Sequence, residues 1–248
     1  MDLVTLADRP DLAPAMWDLD TTWPPFMLED PTAALLDVLV ERFPQYQVLL
    51  LDRDGAGGSS VVGRAHAVPL AWDGDLDSLP PGGWDAVLAQ AVRDADDDAA
   101  PTAASALEVV LAPDYQGRGL SSLLAAGMRA NVAALGLTDL LVPLRPNHKH
   151  REPRVPLAEY VRRRRPDGLP EDPWLRVHVR LGAEVVRVCP ASMSIAGSLA
   201  QWREWTGLPF DRSGEVEVPD ALAPVHVSVE HDHAVYVEPN VWLRHRLA

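Results

Sequence analysis

The segment from residue 107 to residue 124 constrains the fold of this 248-residue chain more than any other. It contains an apolar stretch ending at Leu111, a Pro113-Asp114 turn, a loop with two glycines and the beginning of an apolar helical pattern. Because glycine has no Cβ, a ligand can approach the loop backbone closely. The helix that follows presents N–H groups without intrahelical partners at the positive end of its dipole. This order is typical of a site that binds phosphate or pyrophosphate.

The spacing in this loop is more specific than a pair of glycines. Residues 116–121, Gln-Gly-Arg-Gly-Leu-Ser, resemble the Gln/Arg-x-x-Gly-x-Gly/Ala motif of the GCN5-related N-acetyltransferases, the GNAT superfamily. Residues 111–113, Leu-Ala-Pro, resemble the Val/Leu-x-Pro that precedes the motif. Ser121 departs from the motif, but serine is small and is able to cap a helix.

The resemblance implies that the loop amides bind the pyrophosphate of acetyl-CoA or another acyl-CoA, with backbone amides of Val110 and Leu111 holding the thioester carbonyl. The cofactor-binding residues expected on this basis are Val110, Leu111, Gln116, Gly117, Arg118, Gly119, Leu120, Ser121 and Ser122.

Patterns along the chain predict an α/β fold. Apolar residues at helical spacing predict helices over 8–19, 31–42, 84–93 and 121–135. Apolar runs bounded by turn residues predict strands over 46–51, 61–68, 106–111 and 139–144, the first two forming a hairpin after a turn at 52–55. This order is similar to the GNAT core, which implies a mixed sheet whose two adjacent parallel strands splay apart at the acyl-CoA site.

The second half of the chain differs from a minimal core of this kind. Residues 147–172 are expected to form an insertion after the fifth core strand, with a short helix over 157–164, before a helix over 173–182 and a strand over 183–189. A helix containing Trp202 and Trp205 and strands over 225–229, 234–237 and 241–247 are expected next. The sequence thus predicts a GNAT core over 1–190 and a β-rich C-terminal extension over 191–248, packed on the same domain.

Composition argues against several classes of protein. The formal charge of −14 and the pI near 4.9 disfavour nucleic-acid binding, which depends on neutralising phosphates. The single cysteine, Cys189, excludes an intrachain disulfide. No apolar run approaches the roughly 20 residues of a membrane span, and the N-terminus is too acidic for a signal peptide, so a cytoplasmic protein is expected. Abundant Ala, Arg, Asp and Pro are typical of bacteria with GC-rich genomes.

Acyl transfer from a thioester to an amine requires removal of an amine proton, a donor to the oxyanion and protonation of the departing CoA thiolate. For the last role, GNAT enzymes often use the Tyr of Tyr-x-x-x-Gly-Phe. Aligned on Leu181-Gly182, the resemblance places His178 there, and imidazole, with an ordinary pKa near 6.5, suits proton transfer. Glu108 precedes the loop, where several relatives carry a carboxylate that activates the amine. The alternatives are a His178 that packs beside Trp174 and a Glu108 that faces solvent.

Several other residues have weaker interpretations. Four aromatic residues fall in regions that usually form the acceptor pocket of the family, although aromatic side chains are more often core: Trp17, Trp23, Phe26 and Trp72. Tyr115 is expected to be structural. The run Arg162–Arg165 is either a solvated face or a contact for the 3′-phosphate of CoA or an acidic substrate. His148 with His150, and His231 with His233, offer two ligands each, so no metal site is expected.

Three functions remain open from the sequence. The first is an acyl-CoA-dependent N-acyltransferase that transfers an acyl group, most simply acetyl, directly to a small-molecule amine. The second is a GNAT-like decarboxylase of malonyl- or methylmalonyl-CoA, a chemistry associated with a His and a Thr. His178 satisfies the first requirement, but the nearest core strand has Leu144, with Thr138 at its start. The third is a non-catalytic CoA-binding module. The C-terminal strands either complete a homodimer or cover the acceptor site.

Overall fold

A computed structural model describes residues 1–53 and 58–247. Part of the turn predicted at 52–55 lies outside these residues. The helices are α1 Ala13–Trp17, α2 Val38–Glu41, α3 Gly83–Asp96, α4 Leu120–Ala134, α5 Leu157–Tyr160, α6 Pro173–Arg180 and α7 Leu199–Thr206. The strands are β1 Asp2–Thr5, β2 Val48–Arg53, β3 Ser59–Leu70, β4 Ala103–Leu111, β5 Asp139–Leu144, β6 Glu184–Gly197, β7 Gly214–Val216, β8 Val225–Ser228 and β9 His233–Arg246.

Within the described residues, nine strands form one mixed sheet in the order β1-β2-β3-β4-β5-β9-β8-β7, and β6 pairs with the other edge of β9. β2 and β3 form the predicted antiparallel hairpin. β4 and β5 are parallel and pair only at Ala104 with Leu140 and Ser105 with Leu141. Beyond these two pairs, β4 and β5 no longer pair with each other, so the predicted splay is present. The opening between residues 106–111 and residues 142–144 is called the β4–β5 gap below.

The C-terminal strands differ from the predicted pattern. The strands expected over 234–237 and 241–247 are one continuous strand, β9, which lies between β5 and β6. Pro239 interrupts the sequence pattern because it lacks an N–H group. β9 tolerates this proline where β8 pairing has ended at Val235, β5 pairing has not begun, and β6 bulges between Cys189 and Met193. The boundary expected at 190 falls inside β6, and the last strand is a central member of the sheet.

The N-terminal helices are shorter than predicted. Over 8–19 the chain forms a 3-10 turn, Pro10–Leu12, followed by the five-residue α1. Over 31–42 it forms a 3-10 segment, Pro31–Leu35, and then α2. The helix expected over 157–164 ends at Tyr160. Prolines occupy the first positions of several of these segments, where the missing N–H needs no intrahelical partner. Pro14 lies inside the helix predicted over 8–19 and begins a new helix there instead of continuing the first.

The sheet has one face covered by α1 and the opposite face covered by α4 and α6. Gly63 and Arg64 are neighbours on β3, so their side-chain directions are opposite. A Cβ on Gly63 would meet Leu124 of α4, whereas the Arg64 guanidinium donates to the carbonyl of Met16 in α1 at 2.6 Å. α6 contacts α4 and shares its face. These are called the α1 face and the α4 face below.

Candidate active site

The glycine loop connects β4 to α4 in the predicted way. Gly117 and Gly119 have φ angles of +73° and +77°, a region that residues with a Cβ adopt at a cost. Gly119 is the N-cap of α4, and no side chain caps this helix within the described part of the chain. The Gln116 side chain donates to the Leu111 carbonyl at 3.2 Å, which closes the loop. The helix N-terminus is thereby presented to solvent, as an anion site requires.

Tyr115 fixes the loop to the sheet. Its hydroxyl donates to the Asp52 carboxylate of β2 at 2.7 Å, and its ring packs under the Arg118 guanidinium at 5.1 Å.

The directions of the backbone amides at the end of β4 follow from one hydrogen bond. The Ala112 N–H donates to the Val62 carbonyl of β3. Because successive amides of an extended strand point to opposite edges, the Leu111 N–H points toward β5 and the gap. Of the two amides expected at the thioester, the one of Leu111 faces the gap, and that of Val110 faces β3.

Glu108 lies on the α1 face in a polar cluster. Its Oε1 accepts from the Nε of Arg64 at 2.7 Å, and its Oε2 accepts from the indole N–H of Trp23 at 3.3 Å. The Nε2 of His66 lies 3.4 Å from the same Oε1. The Glu108 side chain is 17% exposed, so it does not face open solvent. Trp17 covers the cluster, with its ring 5.4 Å from the Arg64 guanidinium carbon and 5.6 Å from the His66 ring.

Trp23 spans the β4–β5 gap on this face. On one side it donates to Glu108 of β4. On the other, its ring lies 5.8 Å from the guanidinium of Arg145, the residue that follows β5. Arg145 in turn pairs with the fully buried Glu238 of β9 at 2.9 Å. Two arginine–carboxylate pairs therefore flank the gap, with an indole between them.

His178 occupies the α4 face instead. Its Nδ1 lies 2.9 Å from Nε2 of His245 on β9, and its ring contacts that of Trp174 edge-on at 4.6 Å. Burial, followed by His245 and Arg129, lowers the pKa of His178 to about 3. The imidazole is thus neutral at pH 7, in contrast to the titrating group that its ordinary pKa suggested. The sheet separates it from Glu108.

No family model matches the chain. A curated relative, the arginine N-acetyltransferase avaD of Aspergillus versicolor, is 35% identical over 273 aligned residues, covering 98% of this chain and 93% of the relative. The chain belongs to the GNAT superfamily. It is therefore an enzyme of this family, and the hypothesis of a non-catalytic CoA-binding module is set aside.

Solved GNAT structures share the fold over nearly the whole chain. The loading GNATL domain of CurA from Lyngbya majuscula superposes with a TM-score of 0.59 at 17% identity, covering 99% of this chain and 97% of that domain. The GphF GNAT-like decarboxylase in complex with isobutyryl-CoA superposes with a TM-score of 0.57, also at 17% identity, over the full length of both chains. At this identity the similarity establishes the GNAT fold alone.

Two of the predicted pocket residues lie away from Glu108. Phe26 is 1% exposed and packs edge-on against Tyr236 at 5.4 Å, within a separate core cluster around α7. Trp72 follows β3 at the end that pairs with the beginning of β4, and its indole N–H donates to the carbonyl of Asp75. Of the four aromatic residues expected at the acceptor pocket, the structure brings Trp17 and Trp23 to the Glu108 cluster.

The remaining sequence candidates lie in the insertion and at the surface. Arg163 pairs with Glu152 at 2.6 Å, and the other arginines of the run lie partly or fully exposed on the surface. Among residues 1–53 and 58–247, no group of three His, Cys, Asp or Glu side chains is arranged to hold a metal ion. Over the same residues, no helix is both long and apolar enough to cross a membrane.

Sequence reasoning missed Arg64, His66, Arg145, Glu238 and His245. These residues lie within or next to apolar strand patterns, where a single polar side chain forms no motif. The available signal was their burial cost, since charged and imidazole groups rarely occur inside a strand without partners.

Proposed function

We propose that this GNAT enzyme transfers the acetyl group of acetyl-CoA to a nitrogen of arginine or a closely related cationic small molecule. The observation that carries the proposal is the 35% identity with an arginine N-acetyltransferase over nearly the full length of both chains. The carboxylate of Glu108 at the β4–β5 gap supports it, because amine transfer needs a base at the thioester. The net charge of −14 favours a cationic acceptor.

In this proposal the acyl-CoA enters from the glycine loop. The N-terminus of α4, with Gly117 and Gly119, holds the pyrophosphate by its amides and dipole. The pantetheine arm then lies in the β4–β5 gap. The Leu111 N–H, which points into the gap, donates to the thioester carbonyl and to the oxyanion that forms from it.

The acceptor lies on the α1 face beneath Trp17 and Trp23. Glu108 removes a proton from the attacking nitrogen, which bonds to the thioester carbon while the carbon–sulfur bond breaks. No covalent enzyme intermediate is needed for this direct transfer.

His178 takes no direct part in the transfer in this scheme. It contacts His245, whose register partner Leu140 pairs with Ala104, about 20 Å along β4 from the Leu111 N–H. The buried imidazole therefore lies beyond hydrogen-bond reach of the thiolate, which departs into the β4–β5 gap and is protonated by solvent. The expected effect of His178→Ala is therefore smaller than that of Glu108→Gln.

Mass spectrometry of the products formed from acetyl-CoA and arginine tests the proposal. We expect mono-acetylated arginine, with fragmentation identifying the nitrogen, and a loss of about 100-fold or more in kcat for Glu108→Gln. Glu230→Gln is the matched control because Glu230 is an exposed carboxylate outside the site. Full activity of Glu108→Gln would contradict the role assigned to this carboxylate.

The decarboxylase hypothesis is tested by the same instrument. The enzyme is incubated with malonyl-CoA and no acceptor, with His178→Ala alongside. Conversion to acetyl-CoA that depends on His178, together with no product from arginine, would replace transfer by decarboxylation. Unchanged malonyl-CoA is the expected result.

A further inference from the structure

A buried glutamine determines the tautomer of His66. The Nε2 of Gln47 donates to the carbonyls of Phe43 at 2.7 Å and Ala67 at 3.0 Å. Carbonyls only accept hydrogen bonds, so the amide nitrogen must face them and Oε1 must face the opposite way. That Oε1 lies 2.8 Å from Nδ1 of His66. Because the glutamine oxygen can only accept, the proton of a neutral His66 must be on Nδ1.

This tautomer leaves a lone pair on Nε2 of His66, facing Glu108. Nε2 is buried and has no hydrogen-bond partner, and it lies 3.4 Å from Oε1 of Glu108. Two acceptors that face each other inside a protein form no hydrogen bond, and a buried acceptor without a partner is costly. A single proton between Nε2 and Oε1 would give Nε2 its missing partner, whereas Oε1 already accepts from Arg64.

The surroundings keep His66 neutral when that proton is absent. Burial lowers its pKa to about 4, which the Glu108 carboxylate partly offsets and the Arg64 guanidinium reinforces. Two charged groups face His66: Arg64 on the same strand and Glu108 on β4. The other two neighbours are uncharged, namely the ring of Trp17 in α1 and the amide of Gln47, which precedes β2. At neutral pH, Nε2 is therefore an available proton acceptor beside the proposed base.

We propose that His66 is a positioning residue for Glu108, held by Gln47 so that its Nε2 shares the proton that Glu108 takes from the acceptor nitrogen. The inference rests on the proposed function. In the step, an N–H bond of the acceptor breaks and its electron pair stays on nitrogen, which bonds to the thioester carbon. The carbon–sulfur pair leaves with the thiolate. The proton resides between Oε1 and Nε2 until it passes to solvent.

The tautomer is measured without any activity. Long-range proton–nitrogen correlation spectra of the full-length protein labelled with 15N-histidine separate Nδ1–H from Nε2–H rings, and His66→Asn identifies the His66 signals. We expect the Nδ1–H form, and loss of this preference in Gln47→Leu. An Nε2–H ring in the wild type would overturn the inference, because His66 would then simply donate to Glu108.

The pH dependence of acetylation tests the coupling. Asparagine places an amide nitrogen near the position of Nδ1, so His66→Asn keeps a donor to Gln47 and removes Nε2. We expect a lower plateau of kcat and an acidic limb of the kcat profile displaced to lower pH, because the proton taken from the acceptor nitrogen loses its second acceptor. The KM for acetyl-CoA should stay unchanged.

Val68→Ala is the control for a purely structural effect. Val68 is fully buried on the same strand and makes no polar side-chain contact. An equal fall of kcat in both variants, with the acidic limb unmoved, would overturn the inference. If Glu108→Gln is inactive in that case, the proposed function stands without the role of His66. If Glu108→Gln is fully active, the role of Glu108 as the base fails as well, whereas the proposed function itself fails only if the wild type forms no acetylated arginine.

Discussion

Replacing Gly119 by alanine isolates the contribution of the loop backbone to CoA binding. Gly119 has a φ of +77°, and a Cβ there would meet no atom within 4 Å. The substitution therefore adds no clash, and its cost is that of a non-glycine residue in the left-handed region, about 1–2 kcal/mol. The exposed loop is expected to relieve this strain in the free enzyme by leaving the binding conformation. CoA binding must then restore the left-handed conformation at this cost, which corresponds to an increase of roughly 5- to 30-fold in the Kd for CoA.

Gly136 provides the matched control at the other end of α4. Its φ is +85°, and a Cβ there would also meet nothing within 4 Å. Its N–H and that of Leu137 donate to carbonyls of the last helical turn, which hold it in place. Gly136→Ala should therefore lose stability by about 1–2 kcal/mol and bind CoA like the wild type.

Titration calorimetry with CoA and thermal unfolding of both variants measure the two effects. The expected pattern is an increased Kd for Gly119→Ala with little change in Tm, and a lowered Tm for Gly136→Ala with the wild-type Kd. If Gly119→Ala binds CoA with wild-type affinity, the loop amides do not hold the pyrophosphate in a conformation that needs a left-handed Gly119.

Three further predictions concern stability. Burial and the neighbouring Asp30 carboxyl raise the pKa of Asp85 to about 7, so its contribution is present below the unfolded pKa near 4 and is lost as pH rises through 7. Asp85→Asn should therefore unfold at a higher temperature than the wild type at pH 8 and at a similar one at pH 4, because the stabilisation is lost progressively between pH 4 and pH 7. A variant with the wild-type Tm at both pH values would contradict this. Lys149 is 1% exposed and its ammonium group donates to three carbonyls. Lys149→Met should therefore lower the free energy of unfolding in urea by about 2 kcal/mol. An unchanged free energy of unfolding would show that water replaces the ammonium group. Trp202→Ala should lower the free energy of unfolding by about 3–5 kcal/mol because the ring is fully buried. Trp205→Ala should lower it less because that ring is partly exposed. The reverse order would show that burial of the ring does not determine its contribution.

The sequence predicts the bounds of helices and strands best where periodic apolar patterns end at glycine or proline. α4 was expected over 121–135 and spans Leu120–Ala134, and β5 was expected over 139–144 and spans those residues. β9 was predicted as two strands because the sequence shows Pro239 but not its neighbours. The proline is tolerated only because β8 and β5 leave that part of the edge unpaired, which is a property of the assembled sheet.

The site was predictable only in part, for a related reason. Glu108 could be singled out because it precedes a loop with a motif. Its partners could not, since the Trp23 bond joins residues 85 positions apart and the Arg64 bond joins residues 44 positions apart. Strand alternation assigns each of these side chains a face, but the register between strands decides which of them meet. The bulge at Leu107 of β4, opposite His66 and Ala67 of β3, changes that register beside the cluster.

The separation of Glu108 and His178 by the sheet bears directly on the chemistry proposed. His178 lies on the α4 face beside His245, level with the last paired residues of β4 and β5. Glu108 lies on the α1 face beyond Ser105, where the two strands have separated. The proposed base is therefore at the opening of the sheet, whereas His178 belongs to the buried core behind the paired end of the strands. This favours the opening as the element that organises the reaction, because it brings the Leu111 N–H and the Glu108 carboxylate to the same cleft.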